Sequence, residues 1–307
     1  MTSSILQDAL DGLSSVPRQL PPKLFYDATG AALFEQITQL AAYYPTRTER
    51  EILTTHAADI ATVVGRDAVL IEYGSGAGSK IRLLLDALAP RAYVPVDVSA
   101  EQLSSVAQTL EADYPGLRVH PVNADFTAAT RLPDTLPSGK RVALFLGSTI
   151  GNFHIEEAHT FLRRIAASVG PDGMLLLGVD LKKDPAILHA AYNDEYGITA
   201  AFNRNVLERL QRECGASIEV DAFVHYAFYN PVAGRVEMHL VATRPTTIGI
   251  GDRVFSFVAG EGIWTESSYK YTVADVRAMG EDSGFRMERM WVDAREWFGV
   301  AAFRVAG

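Results

Sequence analysis

The sequence predicts an α/β protein: a Rossmann-like, doubly wound, mostly parallel sheet into which an α+β domain is inserted. Three observations predict it. From about residue 49 to Asp184, short apolar runs alternate with segments of helical periodicity, the pattern of a parallel sheet covered by helices on both faces. The first apolar run breaks into a turn with three alternating glycines, "VLIEYGSGAGSK" over 69–80. Past Asp184 the alternation lapses, and it returns only near the C-terminus.

Taken in order, the first 48 residues hold an amphipathic start, "PRQLPPKLFYD", a helix "AALFEQITQL" and the tight "YYPTRTER". "EREILTTHAADIATVV" has helical spacing and "AVLIEYG" reads as a buried strand. The helix "SKIRLLLDALA", the strand "AYVPVDV" and the helix "SAEQLSSVAQTLEADYP" follow. Next come "LRVHPVNADF", the strand "RVALFLGST", the helix "IEEAHTFLRRIAASV" and the strand "GMLLLGVDL". "AILHAAYNDEYGITAAFNRNVLERLQREC" reads as helical throughout. The strand-like "AFVHYAFYN", "RVEMHLVATR" and "RVFSFVAGEGIWTESSYKY", joined by "NPVAG" and "GIGDR", suit an antiparallel meander. The final "TVADVRAMGEDSGFRMERMWVDAREWFGVAAFRVAG" reads as a helix and two strands.

A length of 307 residues favours two lobes over one. The net charge of −9, from 28 basic and 37 acidic side chains, leaves no basic stripe for nucleic acid or an anionic membrane. A small substrate or a cationic cofactor suits this balance better. The single Cys214 excludes an internal disulfide and a cysteine-based zinc site. His154, His225 and His239 share no ligand spacing, so no metal is expected; Lys182, Lys183 and Asp184 read as a solvated loop. The N-terminus has neither a basic region nor a long apolar stretch, so a cytoplasmic address is expected; the expected oligomeric state is a monomer.

A glycine-rich turn between a first strand and a helix is where a doubly wound sheet binds a nucleotide-like ligand. Gly78 follows Gly76 by two residues, whereas the dinucleotide fingerprint needs three. The form E-x-G-x-G-x-G, Glu72 through Gly78, instead resembles motif I of the class I S-adenosylmethionine (SAM) methyltransferases. The C-terminal helix and hairpin resemble the element that closes their sheet. Asp97, at the end of the next strand, can accept both hydroxyls of a ribose. In "NADF", Asp125 and Phe126 resemble that family's adenine site; read alone they are equally a helix cap and a core aromatic.

Longer strings sharpen the resemblance. "FYDATGAALFEQITQLAAYYPTRTERE" (25–51) and "FLGSTIGNF" (145–153) are similar to the histidine-specific methyltransferases of ergothioneine biosynthesis, as are "AYNDEYGITAAFNRNVL" and "TESSYK", in the same order. Gly78, where that family often has serine, and the alanines of "QLAAYYPT" depart from its pattern. The resemblance implies a methyltransferase domain over 49–181 plus 271–307 and a substrate-binding domain over 1–48 plus 182–270. It implies SAM as co-substrate and L-histidine as acceptor, its α-amino nitrogen methylated three times to give hercynine. Gly74, Gly76, Lys80, Asp97, Asp125, Phe126 and Gly147 would bind the cofactor. Tyr43, Asn152 and Tyr192 would hold the amino acid's backbone end, Glu266 and Ser268 its imidazole, and Ser267, Phe34 and Tyr26 would line the same cavity.

The chemistry asks for collinear alignment more than for a base, because the amine need only be neutral and a nearby sulfonium disfavours its ammonium form. No general base is assigned; Tyr26 and Asn152 are the candidates for a catalytic role. By spacing alone, Asn152 is equally a cap for the helix that follows, and Tyr43 and Tyr192 are equally core aromatics. Glu266 and Ser268, two apart on a strand, project from one face. Three alternatives stand beside this reading. One is methylation of another amine, such as tryptophan, a tryptophan derivative or arginine, where an aromatic acceptor would favour an apolar residue at Glu266. The second is an NAD-dependent oxidoreductase, which the glycine spacing disfavours. The third is a SAM-binding partner without turnover.

Overall fold

The computed structural model describes residues 4–307 except Ala77, Ser79, Ala129 and Thr130. In chain order its strands are β1 (Val69–Tyr73), β2 (Ala92–Asp97), β3 (Arg118–Val119), β4 (Val122–Asn123), β5 (Arg141–Phe145) and β6 (Met174–Asp180). They continue as β7 (Ser217–Ile218), β8 (Phe223–Asn230), β9 (Arg235–Ala242), β10 (Thr246–Ile250), β11 (Arg253–Phe257), β12 (Gly262–Tyr269), β13 (Phe285–Val292) and β14 (Phe298–Val305). The chain divides into two compact units: Pro45–Lys182 with Lys270–Gly307, and Met1–Tyr44 with Lys183–Tyr269.

The first unit is the doubly wound sheet, ordered β13-β14-β6-β5-β1-β2-β3, with β4 also pairing β2. β1 pairs β2 and β5 in parallel, and β5 pairs β6 in parallel. The closing strands β13 and β14 run antiparallel. Every residue of β1 and of β6 is buried, as strands covered on both faces require. Alternate strand residues feed two cores. Leu70, Leu144, Leu176 and Val300 pack with Leu84, Leu88 and Leu110 of the helices Arg82–Leu88 and Ala100–Asp113. Ile71, Phe145, Leu177 and Phe303 pack on the other side with Phe161 and Ile165 of Ile155–Val169. Chain order reverses between β1's two neighbours, β2 and β5, so the carboxyl ends of those strands form the switch-point crevice.

Several boundaries depart from the sequence reading. The long helical stretch beginning at "EREILTT" is two helices, Tyr44–Thr55 and Ala57–Val64. "LRVHPVNADF" holds two short strands, β3 and β4, and both pair β2.

In the other unit, the stretch beginning "AILHAAY" is likewise two helices, Pro185–Tyr192 and Ile198–Cys214. Its strands make two three-stranded antiparallel sheets, β11-β10-β7 and β12-β9-β8, where a meander was expected. The N-terminal segment joins the second sheet: Trp264 N–H donates to Arg18 O and Leu20 N–H to Trp264 O. Lys183 donates to the Tyr44 hydroxyl at 2.7 Å, and Asp184 caps Pro185–Tyr192 through Ala186 N–H at 2.8 Å. Lys182, in the sheet unit, makes an exposed pair with Asp275 at 3.0 Å; the three residues form a loop, as expected, with Lys182 and Asp184 exposed. No helix among the described residues is long and apolar enough to cross a membrane.

Candidate active site

In the sheet unit, the turn after β1 has Gly74, Gly76 and Gly78 at φ +70°, +50° and +66°, the left-handed region that favours glycine. The three differ in what a side chain would meet. A Cβ on Gly74 would touch the Phe126 ring at 3.4 Å, and one on Gly78 would reach Val106 at 2.9 Å. A Cβ on Gly76 would meet nothing within 4 Å among the described residues, so on that side this glycine is open beside the switch point. Gly76 N–H donates to Asp97 Oδ2 at 3.1 Å and Ser99 N–H to Oδ1 at 3.2 Å. These two bonds orient the carboxylate at the end of β2 and leave lone pairs on each oxygen.

Register places Asn123 of β4 beside Asp97, so Asp125 and Phe126 emerge at the neighbouring strand end. Asp125 accepts from both the backbone N–H (2.9 Å) and the hydroxyl (2.5 Å) of Thr127, an Asx turn and not a helix cap. Phe126 packs edge-on to Phe145 and beside Phe161, at 5.7 and 5.9 Å between centroids.

The loop after β5 holds Gly147 at φ +80°, Ser148 at φ +58° and Asn152 at the end of a 3-10 turn, Thr149–Asn152. The cap of helix Ile155–Val169 is His154, whose N–H donates to Glu157 at 2.9 Å. Asn152 therefore does not cap that helix, and its amide makes no hydrogen bond among the described residues.

In the other unit, five residues singled out from sequence form a chain of contacts. Tyr26 and Phe34 lie edge to face at 6.0 Å, Phe34 and Tyr43 at 6.3 Å, and Tyr43 and Tyr192 at 6.4 Å. Tyr192 donates from its buried hydroxyl to buried Ser268 at 2.8 Å. That bond joins a residue expected at an amino acid's carboxylate to one expected at its side chain. Glu266 pairs with Met238 and Ser268 with Val236, so the two share a face of β12. Ser267 between them is buried. A bulge lies just before, between Trp264 and Glu266; Thr265 there donates to Asn203 at 2.7 Å, and the Trp264 indole donates to Glu266 O at 2.8 Å.

Comparison with known proteins decides the family. Residues 5–305 match the family described as histidine-specific methyltransferase, SAM-dependent. The chain belongs to that family. A histidine N-alpha-methyltransferase of Mycolicibacterium smegmatis is 41% identical, over 97% of this chain and 94% of the relative. Ergothioneine biosynthesis protein 1 of Neurospora crassa is 34% identical over 92% of this chain, which spans 32% of that longer protein. A SAM-dependent methyltransferase structure from Clostridium acetobutylicum superposes with a TM-score of 0.52, covering 89% of this chain and 98% of that one at 10% identity, and shows the shared class I fold.

The sheet unit of this family member fits SAM. The open side of Gly76 would accept backbone-close packing of the ligand, and Asp97 stands at the second strand end with acceptor capacity remaining. Two buried carboxylates of the same unit make contacts that the sequence reading did not foresee: Glu72, read only as the acid of the glycine motif, and Glu49, not singled out at all. Glu72 accepts from the Tyr93 hydroxyl, and burial pushes its carboxyl up to about 7. Tyr93 and Lys80 oppose that rise, and the carboxylates of Glu49 and Asp97 add to it. Glu49, with a fully buried side chain, takes the Lys80 ammonium at 2.6 Å and the Gly147 N–H at 2.7 Å, so Lys80 is engaged with a protein carboxylate.

In the other unit, sequence reasoning also passed over Asn203, which is fully buried. Its amide bonds His225 Nδ1 at 2.9 Å, and His225 Nε2 bonds the Tyr192 carbonyl at 2.9 Å. Burial holds the His225 imidazole below its ordinary pKa, and the neutral ring with a proton on Nε2 satisfies both contacts. Helical spacing alone gives no signal for such a partner, since a buried asparagine betrays itself only by what it touches. Among the described residues no cluster of His, Cys, Asp or Glu could hold a metal.

Proposed function

We propose that this protein transfers methyl groups from SAM to the α-amino nitrogen of L-histidine, three times, giving hercynine as a step toward ergothioneine. The observation that carries the reading is the polar face of β12. Glu266 and Ser268 project together, with Ser268 hydrogen-bonded to Tyr192. A carboxylate and a hydroxyl on one face match the two nitrogens of an imidazole, whereas an indole, with a single ring N–H, would leave one of the two unmatched. The family and the named relatives support the same acceptor.

When bound, SAM supplies the methyl group on a sulfonium. The sheet unit acts as the methyltransferase domain: Gly74 and Gly76 pass beneath the ligand, Asp97 accepts its ribose hydroxyls, and Asp125 and Phe126 serve its adenine. Lys80 and Gly147 flank the same site. The second unit acts as the substrate-binding domain. Glu266 accepts an imidazole N–H, Ser268 serves the other nitrogen, and Tyr43 and Tyr192 donate to the carboxylate. Asn152 offers a carbonyl acceptor and two N–H donors to the amine and carboxylate. Ser267, Phe34 and Tyr26 line the cavity. Positioning of this kind supplies on the order of 7–11 kcal/mol, so no strong base is required.

The test is incubation of the purified protein with SAM and each common amino acid, followed by mass analysis. Gain of three methyl groups on histidine alone is expected. A product on another amino acid, or arrest after one methyl group, would contradict the proposal.

A further inference from the structure

The site just proposed uses Lys80 and Gly147, and both are held by one side chain that no ligand role explains. Glu49 lies on the helix Tyr44–Thr55, its side chain wholly buried. Its Oε1 accepts from the Gly147 N–H at 2.7 Å, and its Oε2 meets the Lys80 ammonium at 2.6 Å. A third element is shaped around it. Gly178, in the middle of β6, has no room for a Cβ because Glu49 Oε1 occupies that space. Gly147 is constrained from the other side as well, since the Lys80 ammonium sits 2.8 Å from where its Cβ would be.

A buried carboxylate is expensive to desolvate, and a buried ion pair is weak evidence for stability alone. What this one does visibly is register. It ties the residue that follows the glycine turn of β1 to the first glycine of the loop after β5, and it seats both against β6. Those two segments flank the switch point. The strained loop is anchored again one residue on, where Ser148, at φ +58°, accepts from the Asp180 N–H at 2.8 Å. The charge is matched to the ligand too. With Glu49 beside it, Lys80 forms a neutral pair and presents no net positive charge to a sulfonium.

We propose that Glu49 is a positioning residue of the SAM site, acting through Lys80 and the Gly147 loop; this rests on the reading that the β1 turn holds SAM. Glu49→Gln keeps the acceptor for Gly147 but turns an amide toward the Lys80 ammonium. Gly178→Ala keeps the charge but displaces Oε1 from Gly147. Each should weaken SAM binding, measured by calorimetric titration, roughly 10- to 100-fold, the range for losing a hydrogen bond to a charged group. The histidine KM at saturating SAM should stay within about threefold, because nothing on the acceptor's side has changed. In the Glu49→Gln background, Lys80→Met should add less than about threefold to the SAM Kd, since the pair acts as a unit.

A lowered Tm with an unchanged SAM Kd would overturn the proposal, as would a histidine KM that rises in step with the SAM Kd, or full multiplication of the two substitutions. If Glu49→Gln does not fold, Gly178→Ala gives the same readout with the carboxylate intact. Failure of the wild-type protein to bind SAM would instead remove the underlying site reading.

Discussion

Replacing Gly76 and Gly78 one at a time by alanine separates the cost to the fold from the cost to the ligand. Both sit at positive φ, +50° and +66°, where an L side chain costs about 1–2 kcal/mol. For Gly76→Ala that is the whole expected penalty to the fold, because its Cβ meets no atom of the described residues within 4 Å. At roughly 2–4 °C per kcal/mol, the Tm should fall by only a few degrees. For Gly78→Ala the Cβ also overlaps Val106 at 2.9 Å, and overpacking adds about 1–3 kcal/mol, so its Tm should fall about twice as far. Ligand binding should show the opposite order. The open space at Gly76 is where the cofactor would pass, so Gly76→Ala should raise the SAM Kd more than about tenfold. Gly78→Ala, aimed into the protein, should raise it less. Calorimetry gives both numbers, from a thermal scan and from a SAM titration. A Gly76→Ala protein that binds SAM like the wild type would refute the placement of the ligand on this turn.

Three further outcomes test the other parts of the site. Glu266→Ala should raise the histidine KM by about 100-fold or more while the SAM Kd moves less than about threefold; an equal loss of SAM affinity would show that Glu266 does not read the acceptor. Tyr192→Phe removes the 2.8 Å donor to buried Ser268 and should cost about 1–3 kcal/mol, read as roughly a 5- to 150-fold rise in histidine KM; an unchanged KM would remove Tyr192 from the acceptor site. Glu72 contributes a stability term that depends on pH. Its carboxyl, at about 7 in the fold against 4.5 for an unperturbed glutamate, favours the folded state fully below 4.5 and loses that contribution as pH rises through 7. The term is about 3 kcal/mol, and it opposes that of His225, whose depressed imidazole makes stability rise with pH as the unfolded-state histidine loses its proton. Urea titrations of wild type and Glu72→Gln between pH 4.5 and 8 isolate it as the difference. A pH-independent difference would place Glu72 in an ordinary solvated setting.

Much of the sheet unit was legible because its information is local. An apolar run such as Val69–Tyr73 is buried throughout, so no alternation is needed to recognise it, and its helices show their own period. The glycine turn was legible for a similar reason, since positive φ leaves a mark in residue type. The β12 pair was readable too: Glu266 and Ser268 are two apart, and the bulge at Thr265 falls before them, so the alternation between them survives. Had the bulge fallen between them, the same sequence argument would still have predicted one face while the fold turned them to opposite ones. Strand partnership in the second unit was not legible, and a single expected meander became two sheets, because pairing depends on contacts distant in sequence.

By itself, then, the sequence determined the sheet's alternating order, the backbone demands of the β1 turn and, through long shared motifs, the family. Only the tertiary structure decided that Glu49 reaches Lys80 and Gly147, that Tyr93 donates to Glu72, and that Asn203 and His225 stand behind Tyr192. The physical reason is the same in each case. A buried polar group is specified by its partner, and these partners lie tens of residues apart in the chain, where neither helical nor strand periodicity carries a trace of the bond that joins them.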